Sequence, residues 1–179
     1  MEYLLYSLIN EIKAKMPEIS LVDEDYGQLE YIDSETDTYP VTFPCVLLDA
    51  ADVQWSNISG GSQKGNATIA VKLAIDCYDD THYGSDTTDK ILTRHAMVEK
   101  LHNIVQCFRP DDGAPMNRIS SRFYTSNHGI KVYESQYTVT ITSHSDDTTK
   151  VRLSPDVGVV FDKEKHKDMY EEPFTETFD

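Results

Sequence analysis

His95, Glu99 and His102 recur at i, i+4 and i+7, a spacing that sets all three along one face of a helix. Two imidazoles and a carboxylate are metal ligands by their chemistry, so this face is the one place where a small metal-dependent hydrolase could be read. The H-E-x-x-H pattern is absent and no further His or Cys ligand is marked nearby, so the three residues also fit a hydrated polar face turned away from a core stripe.

Residues 59–68, SGGSQKGNAT, raise a second possibility, a phosphate cradle. That loop requires G-x-x-x-x-G-K-[ST], so that backbone N–H groups wrap the phosphates while the lysine and hydroxyl reach the outer oxygens and magnesium. Gly60 and Gly65 have the separation, but Asn66 and Ala67 stand where the lysine and hydroxyl belong, and Lys64 precedes the second glycine. The following residues, ATIAVKLAIDCY, alternate with period two and do not open a helix toward an anion. Asp79-Asp80-x-His82 and Asp111-Asp112-Gly113 carry carboxylates that could serve acid–base or metal chemistry. Asp in turns also bonds its own backbone, which accounts for both clusters without a ligand. G-x-S-x-G is missing, and nothing singles out a Cys–His pair. The expectation is a non-enzyme, with no catalytic residue, metal or cofactor.

The elements around these residues alternate in type. Leu4, Leu5, Leu8, Ile9 and Ile12 recur at helical spacing between Glu2 and Met16, and Pro17 ends the run. A turn-rich acidic segment over 20–40 follows, with ISLV and QLEYI as short strand candidates. PCVLLDAADVQW and ATIAVKLAIDCY bracket the glycine-rich run as a hairpin near 44–55 and 66–79, with Ile69, Val71, Leu73, Ile75 and Cys77 on one face. A second helix is expected after an N-cap at Ser85 or Asp86, with Ile91, Val98, Leu101, Val105 and Phe108 as its stripe, flanked by Leu92 and Ile104. Arg109-Pro110 ends it. MNRISSRFYTSN and IKVYESQYTVTITS then form another hairpin about Asn127-His128-Gly129. In the latter run Val132 falls out of phase with Tyr133, Ser135, Tyr137, Val139 and Ile141, suggesting a bulge.

Helix, hairpin, helix, hairpin predicts an α+β fold: a mainly antiparallel sheet built from two long β-hairpins, packed with an N-terminal helix and a central helix. That domain covers 1–143. Residues 144–179 lose the pattern and read as an extended C-terminal arm with one β-prone run, DVGVVF, able to add a strand to a neighbour.

Composition bounds the partners. Hydrophobic residues make up 39% and charged residues 26% of 179, an ordinary soluble make-up. No apolar run reaches the length of a membrane span. The start lacks a basic leader, so residence in the cytosol is expected. Net charge is −15, and from Pro17 to Gln63 no Lys or Arg interrupts the acidic residues. Such a surface repels phosphate backbones, which argues against nucleic-acid binding; the alternative reading of the same charge is an acidic monomeric binding module that mimics nucleic acid. Cys45, Cys77 and Cys107 are widely spaced, without C-x-x-C, and read as reduced core residues.

The amphipathic first helix, the F-P-C-V-L-L entry strand, the hairpin ending in ATIAVKLAIDCYD, the helix ILTRHAMVEKLHNIVQCF and the closing hairpin RFYTSNHGIKVYESQYTVTIT together resemble tail terminator and tail-completion proteins of long-tailed bacteriophages. The resemblance covers about residues 1–143 and lies in element order, without a diagnostic motif. It implies a structural virion protein of the tail or neck, assembled in the bacterial cytoplasm. Such proteins form rings, commonly hexameric, that cap the tail tube and join it to the head-side connector. The expected partners are therefore further copies of the chain, a tail tube protein and connector proteins. The hairpin tip (Gly60, Gly61, Lys64 and Gly65) and the arm residues Val157, Val159 and Phe161 are the candidate contacts. The acidic segment at 20–40 lies outside the resemblance.

Overall fold

The computed structural model describes residues 2–30, 41–59, 62–110, 114–126 and 129–144. Met1–Asp146 forms one compact unit, and the remainder from Asp147 lies outside the described residues. Helix α1 spans Glu2–Lys15 and α2 spans Lys90–Cys107. The strands are β1 (Leu21–Glu24), β2 (Cys45–Ser59), β3 (Ser62–Asp76), β4 (Asn117–Thr125) and β5 (Ile130–His144). They form one sheet in the order β1-β2-β3-β5-β4, with β1 parallel to β2 and every other pair antiparallel. The α+β architecture of two hairpins and two helices is thus the one that the alternating periodicities require.

Both helices lie on one face. Leu4, Leu5, Leu8 and Ile12 of α1, continued by Met16 and Ile19, and Leu101, Ile104 and Val105 of α2 pack against Val46, Leu48, Ile69, Val71, Leu73 and Tyr137. Only the later turns of α2 join this core. Ile91 and Leu92, assigned to the stripe by periodicity, are 44% and 66% exposed, because the first turns do not pack on the sheet. The helix also starts later than its capping residues suggest. Ser85 Oγ instead donates to the Asp80 carbonyl at 2.6 Å within a turn, and Asp89 holds the N-cap position without a side-chain cap bond.

The opposite face carries a second, smaller core of Leu29, Cys45, Leu47, Ala74, Ile130 and Val132, joined by partly buried Leu21, Val41, Phe43 and Tyr124. This explains why PCVLL is continuously apolar: the strand is covered on both sides at this end. It also corrects the reading of Val132, which is 0% exposed and in normal phase for the second face. The irregularity of this hairpin sits instead in β4, between Arg118 and Ser120.

The acidic segment is therefore structural in its first part. Leu21–Glu24 supplies the edge strand, and QLE forms a 3-10 turn where a strand was expected, because Leu29 must reach the second core. The turn is fixed by local bonds. The Gly27 N–H donates to Asp25 Oδ1 at 3.0 Å, the Tyr26 N–H to Gln28 Oε1 at 2.7 Å, and Gln28 Nε2 to the Glu24 carbonyl at 2.7 Å, with Gly27 at φ 83°, where only glycine is unstrained. Residues 31–40 lie outside the described residues.

Cysteine placement differs from the expected three core thiols. Cys45 is buried, and burial pushes its thiol up to about 12. Cys77 is half-buried and Cys107 exposed, because α2 ends with that residue on its outer side.

Candidate interaction surfaces

The strands β2, β3 and β5 each run for 15 residues, about 50 Å at strand rise, and the helices cover only part of that length. The register continues to Ser59 opposite Ser62 and Ser62 opposite His144. The distal part is a three-stranded blade whose faces are largely in water: residues 54–58 of β2 and 63, 64 and 66 of β3 are exposed. Trp55 and Ile58 remain 46% and 57% exposed there. From Val53 to Ile75 the chain has no Asp or Glu, in a protein whose net charge is −15. The blade is an acid-free projection from an acidic body.

Two of the expected tip residues belong to the strand rather than to the turn. Lys64 lies opposite Ser56 and Gly65 opposite Trp55, and Gly60 and Gly61 lie outside the described residues. Gly65 is a packing position. A Cβ there would sit 2.9 Å from Trp55 Cζ3 and 2.9 Å from Val53 Cγ1, so the indole lies over the bare backbone, a cross-strand cover for a strand glycine. Gly65→Ala is expected to displace the indole and cost about 1–2 kcal/mol through overpacking. Trp55 is the only tryptophan, so its emission maximum and the thermal midpoint report both effects; an unshifted spectrum and midpoint would refute the contact.

A second surface lies along β4. Every residue of this strand except Tyr124 is exposed, including Ile119 at 57% and Phe123 at 59%. Phe123 stacks on Tyr133 with centroids 5.3 Å apart. Gln106 accepts from the Arg118 N–H at 3.0 Å. Beyond that contact the outer edge of β4 has no strand beside it among the described residues. Asn117–Thr125 contains two arginines and no acidic residue.

Between these surfaces a row of alternating charge crosses the second face. Lys72 lies opposite Glu134, and Glu134 opposite Arg122. Asp25 holds Lys72 from the β1 side, and Arg122 donates to Glu134 at 2.8 Å. The Asp25 and Glu134 side chains are each only 7% exposed. For Lys72, burial would lower the ammonium, but the hydrogen bond and charge of Asp25 outweigh it and hold it above its ordinary range. The row carries no net charge, so it neutralises two carboxylates inside the sheet.

The His95/Glu99/His102 face does not converge. His95 and Glu99 are exposed, and Glu99 borders a shallow open groove with Lys100, Asn103 and Cys107. His102 is half-buried, with Nδ1 3.0 Å from the Tyr137 hydroxyl. Burial pushes the Tyr137 phenol up, so the contact joins a protonated phenol to the ring nitrogen, with donor and acceptor set by the imidazole tautomer. Burial, with the Arg118 charge, holds the imidazole below its ordinary value. Among the described residues no three His, Cys, Asp or Glu side chains are placed to hold a metal ion. A depressed imidazole favours the folded state above the unfolded value near 6.5, and that contribution is lost as pH falls through the folded value. The wild type is thus expected to lose more stability between pH 7.5 and 5.5 than His102→Asn, read from urea midpoints; equal losses would refute it.

Asp80 and His82 pair with each other, Oδ1 to Nδ1 at 2.6 Å, on an exposed turn, and Asp79 pairs with Lys90. The first is local to the turn, and the second ties the turn to the first residue of α2. Asp111-Asp112-Gly113 and the arm residues Val157, Val159 and Phe161 lie outside the described residues. The two acid-free surfaces escaped residue-by-residue reading, although the missing acidic residues in 53–75 and 117–125 were visible signals.

No protein-family model matches the chain, and no curated protein matches it. No helix among the described residues is long and apolar enough to cross a membrane.

Proposed function

We propose that this chain is a structural virion protein of a phage or prophage tail or neck, one that forms a ring, commonly a hexamer in such proteins, terminating the tail tube and joining it to the head-side connector. The observation that carries this reading is the acid-free blade of β2, β3 and β5, with Trp55 and Ile58 in water. Subunit contacts are depleted of charge and enriched in aromatic residues relative to the remaining surface, and the blade has that character while the body does not. A closed ring needs two different complementary surfaces on each subunit, and β4 offers a second. The acidic remainder suits a lumen through which DNA slides without adhering.

At −15 per subunit, self-association works against charge repulsion that salt screens within about 10 Å at 0.1 M. Assembly is therefore expected to strengthen as salt rises, with one discrete mass by light scattering and a blue shift of Trp55 emission. A monomer at all concentrations and salt levels would refute ring formation by the chain alone. Assembly with unchanged Trp55 emission would remove the blade from the interface.

A further inference from the structure

We infer that the outer edge of β4 is the acceptor for residues 156–161 of a second copy of this chain, which add to it as an antiparallel strand. The inference rests on the self-assembly part of the proposed function and specifies its interface.

An open strand edge presents a row of unpaired N–H and C=O groups, which proteins usually blunt by shortening the strand, charging it or covering it. The β1 edge has four residues, two of them acidic. The β4 edge has nine, and among the described residues only Gln106 reaches it, at Arg118. The occupant is indicated by sequence and charge. DVGVVF is the one β-prone run after residue 144, and Val157, Val159 and Phe161 alternate along it, so in an added strand they share one face. Set toward the helix side, they lie beside exposed Phe123. The residues that follow, 162–179, contain seven acidic and three basic residues, which complements Arg118 on an edge without acids, Arg122 being paired with Glu134.

Polarity selects a second copy over the chain's own arm. β5 ends at His144 opposite Ser62, beyond the end of β4 that carries Asn117 opposite Thr138. An arm returning directly from there runs parallel to β4, in the less stable pairing. To enter antiparallel at the Thr125 end, residue 156 must reach the level of Lys131. That level is 13 residues back along β5, about 43 Å at strand rise. The twelve steps from His144 to residue 156 span at most about 43 Å fully extended, which leaves the chain's own arm no slack for the two strand spacings, about 10 Å, to the outer side of β4. A neighbouring subunit has no such limit.

Two full-length variants test this: Val159→Asp, which spoils the strand, and Phe123→Asp, which spoils the edge at a position 59% exposed, with the thermal midpoint of each monomer confirming that it is folded. Each alone is expected to weaken assembly at least about ten-fold. Mixed together they are expected to form one-to-one dimers, because the intact arm of the Phe123→Asp chain finds the intact edge of the Val159→Asp chain. Hydrogen exchange at residues 119–125 should slow as wild-type concentration rises. Wild-type assembly by both variants, a mixture that stays monomeric, or β4 protection independent of concentration would overturn the inference. A discrete ring with unprotected β4 would sink it and leave the ring reading standing. Strand exchange in a particle that is not a ring would do the reverse.

Discussion

Tyr137→Ala is expected to cost about 3–5 kcal/mol of stability, the range for removing a large aromatic side chain from a core. Tyr137 is among the largest fully buried side chains, at 1% exposure, and lies on β5 where the sheet meets α2. Its ring stacks on His102 with centroids 6.0 Å apart, and its hydroxyl bonds the same imidazole. Neighbouring side chains are held by the sheet on one side and the helix on the other, so little relaxation can refill the space. Tyr137→Phe retains the ring and removes the polar contacts of the hydroxyl, the one to His102 among them. Its expected cost is about 1 kcal/mol, with His102 rotating toward solvent because it is only partly buried. Chemical denaturation of both variants separates the two contributions; equal losses would mean that packing around the ring contributes little.

Asp25→Ala is expected to lose about 2–3 kcal/mol, somewhat less than the 3–5 kcal/mol typical when a fully buried pair is broken. The discount follows from Lys72, whose side chain keeps 24% exposure and can gain some water. The substitution also removes the acceptor of the Gly27 N–H, loosening the turn that carries Leu29 into the second core. Adding Lys72→Met removes the stranded charge, so the double variant is expected to recover at least about 1 kcal/mol relative to Asp25→Ala. A double variant no more stable than the single would refute the electrostatic account and leave the turn as the cause. The pH dependence has a definite sign. Lys72 is held above its ordinary value of 10.5, so the folded state binds the proton more tightly than the unfolded chain. This contribution is complete below 10.5 and disappears as pH rises through the folded value. The stability gap between wild type and Asp25→Ala should therefore narrow above pH 10.5 and stay level through neutrality.

Much of the fold was legible because each element carries its own period. The stripe Leu4, Leu5, Leu8 and Ile12 marks α1, and Ile69, Val71, Leu73 and Ile75 mark the helix-side face of β3. Both describe one element meeting one core, which local spacing encodes. The errors arose where a residue answers to two neighbours. Val132 looked out of phase because only the face covered by helices was considered. Ile91 and Leu92 fit the helical period of α2, but period does not say where the sheet beneath ends. The distal ends of β2 and β3 were underestimated because their Ser- and Asn-rich halves have low strand propensity and are held by pairing across three strands, whereas β3 stops at Asp76, short of the expected 79 and of Cys77.

The same distinction applies to the candidate surfaces. Local sequence alone determined the two helices, the two hairpins, the acidic balance of −15 and the missing acidic residues in 53–75 and 117–125, since these are properties of neighbours along the chain. Only the tertiary structure decided that Leu21–Glu24 pairs parallel with β2, that Trp55 covers Gly65, that Asp25 reaches Lys72 across 47 residues, and that β4 is left at the edge. Strand order depends on which apolar faces can be buried together, and that competition is settled among segments far apart in sequence.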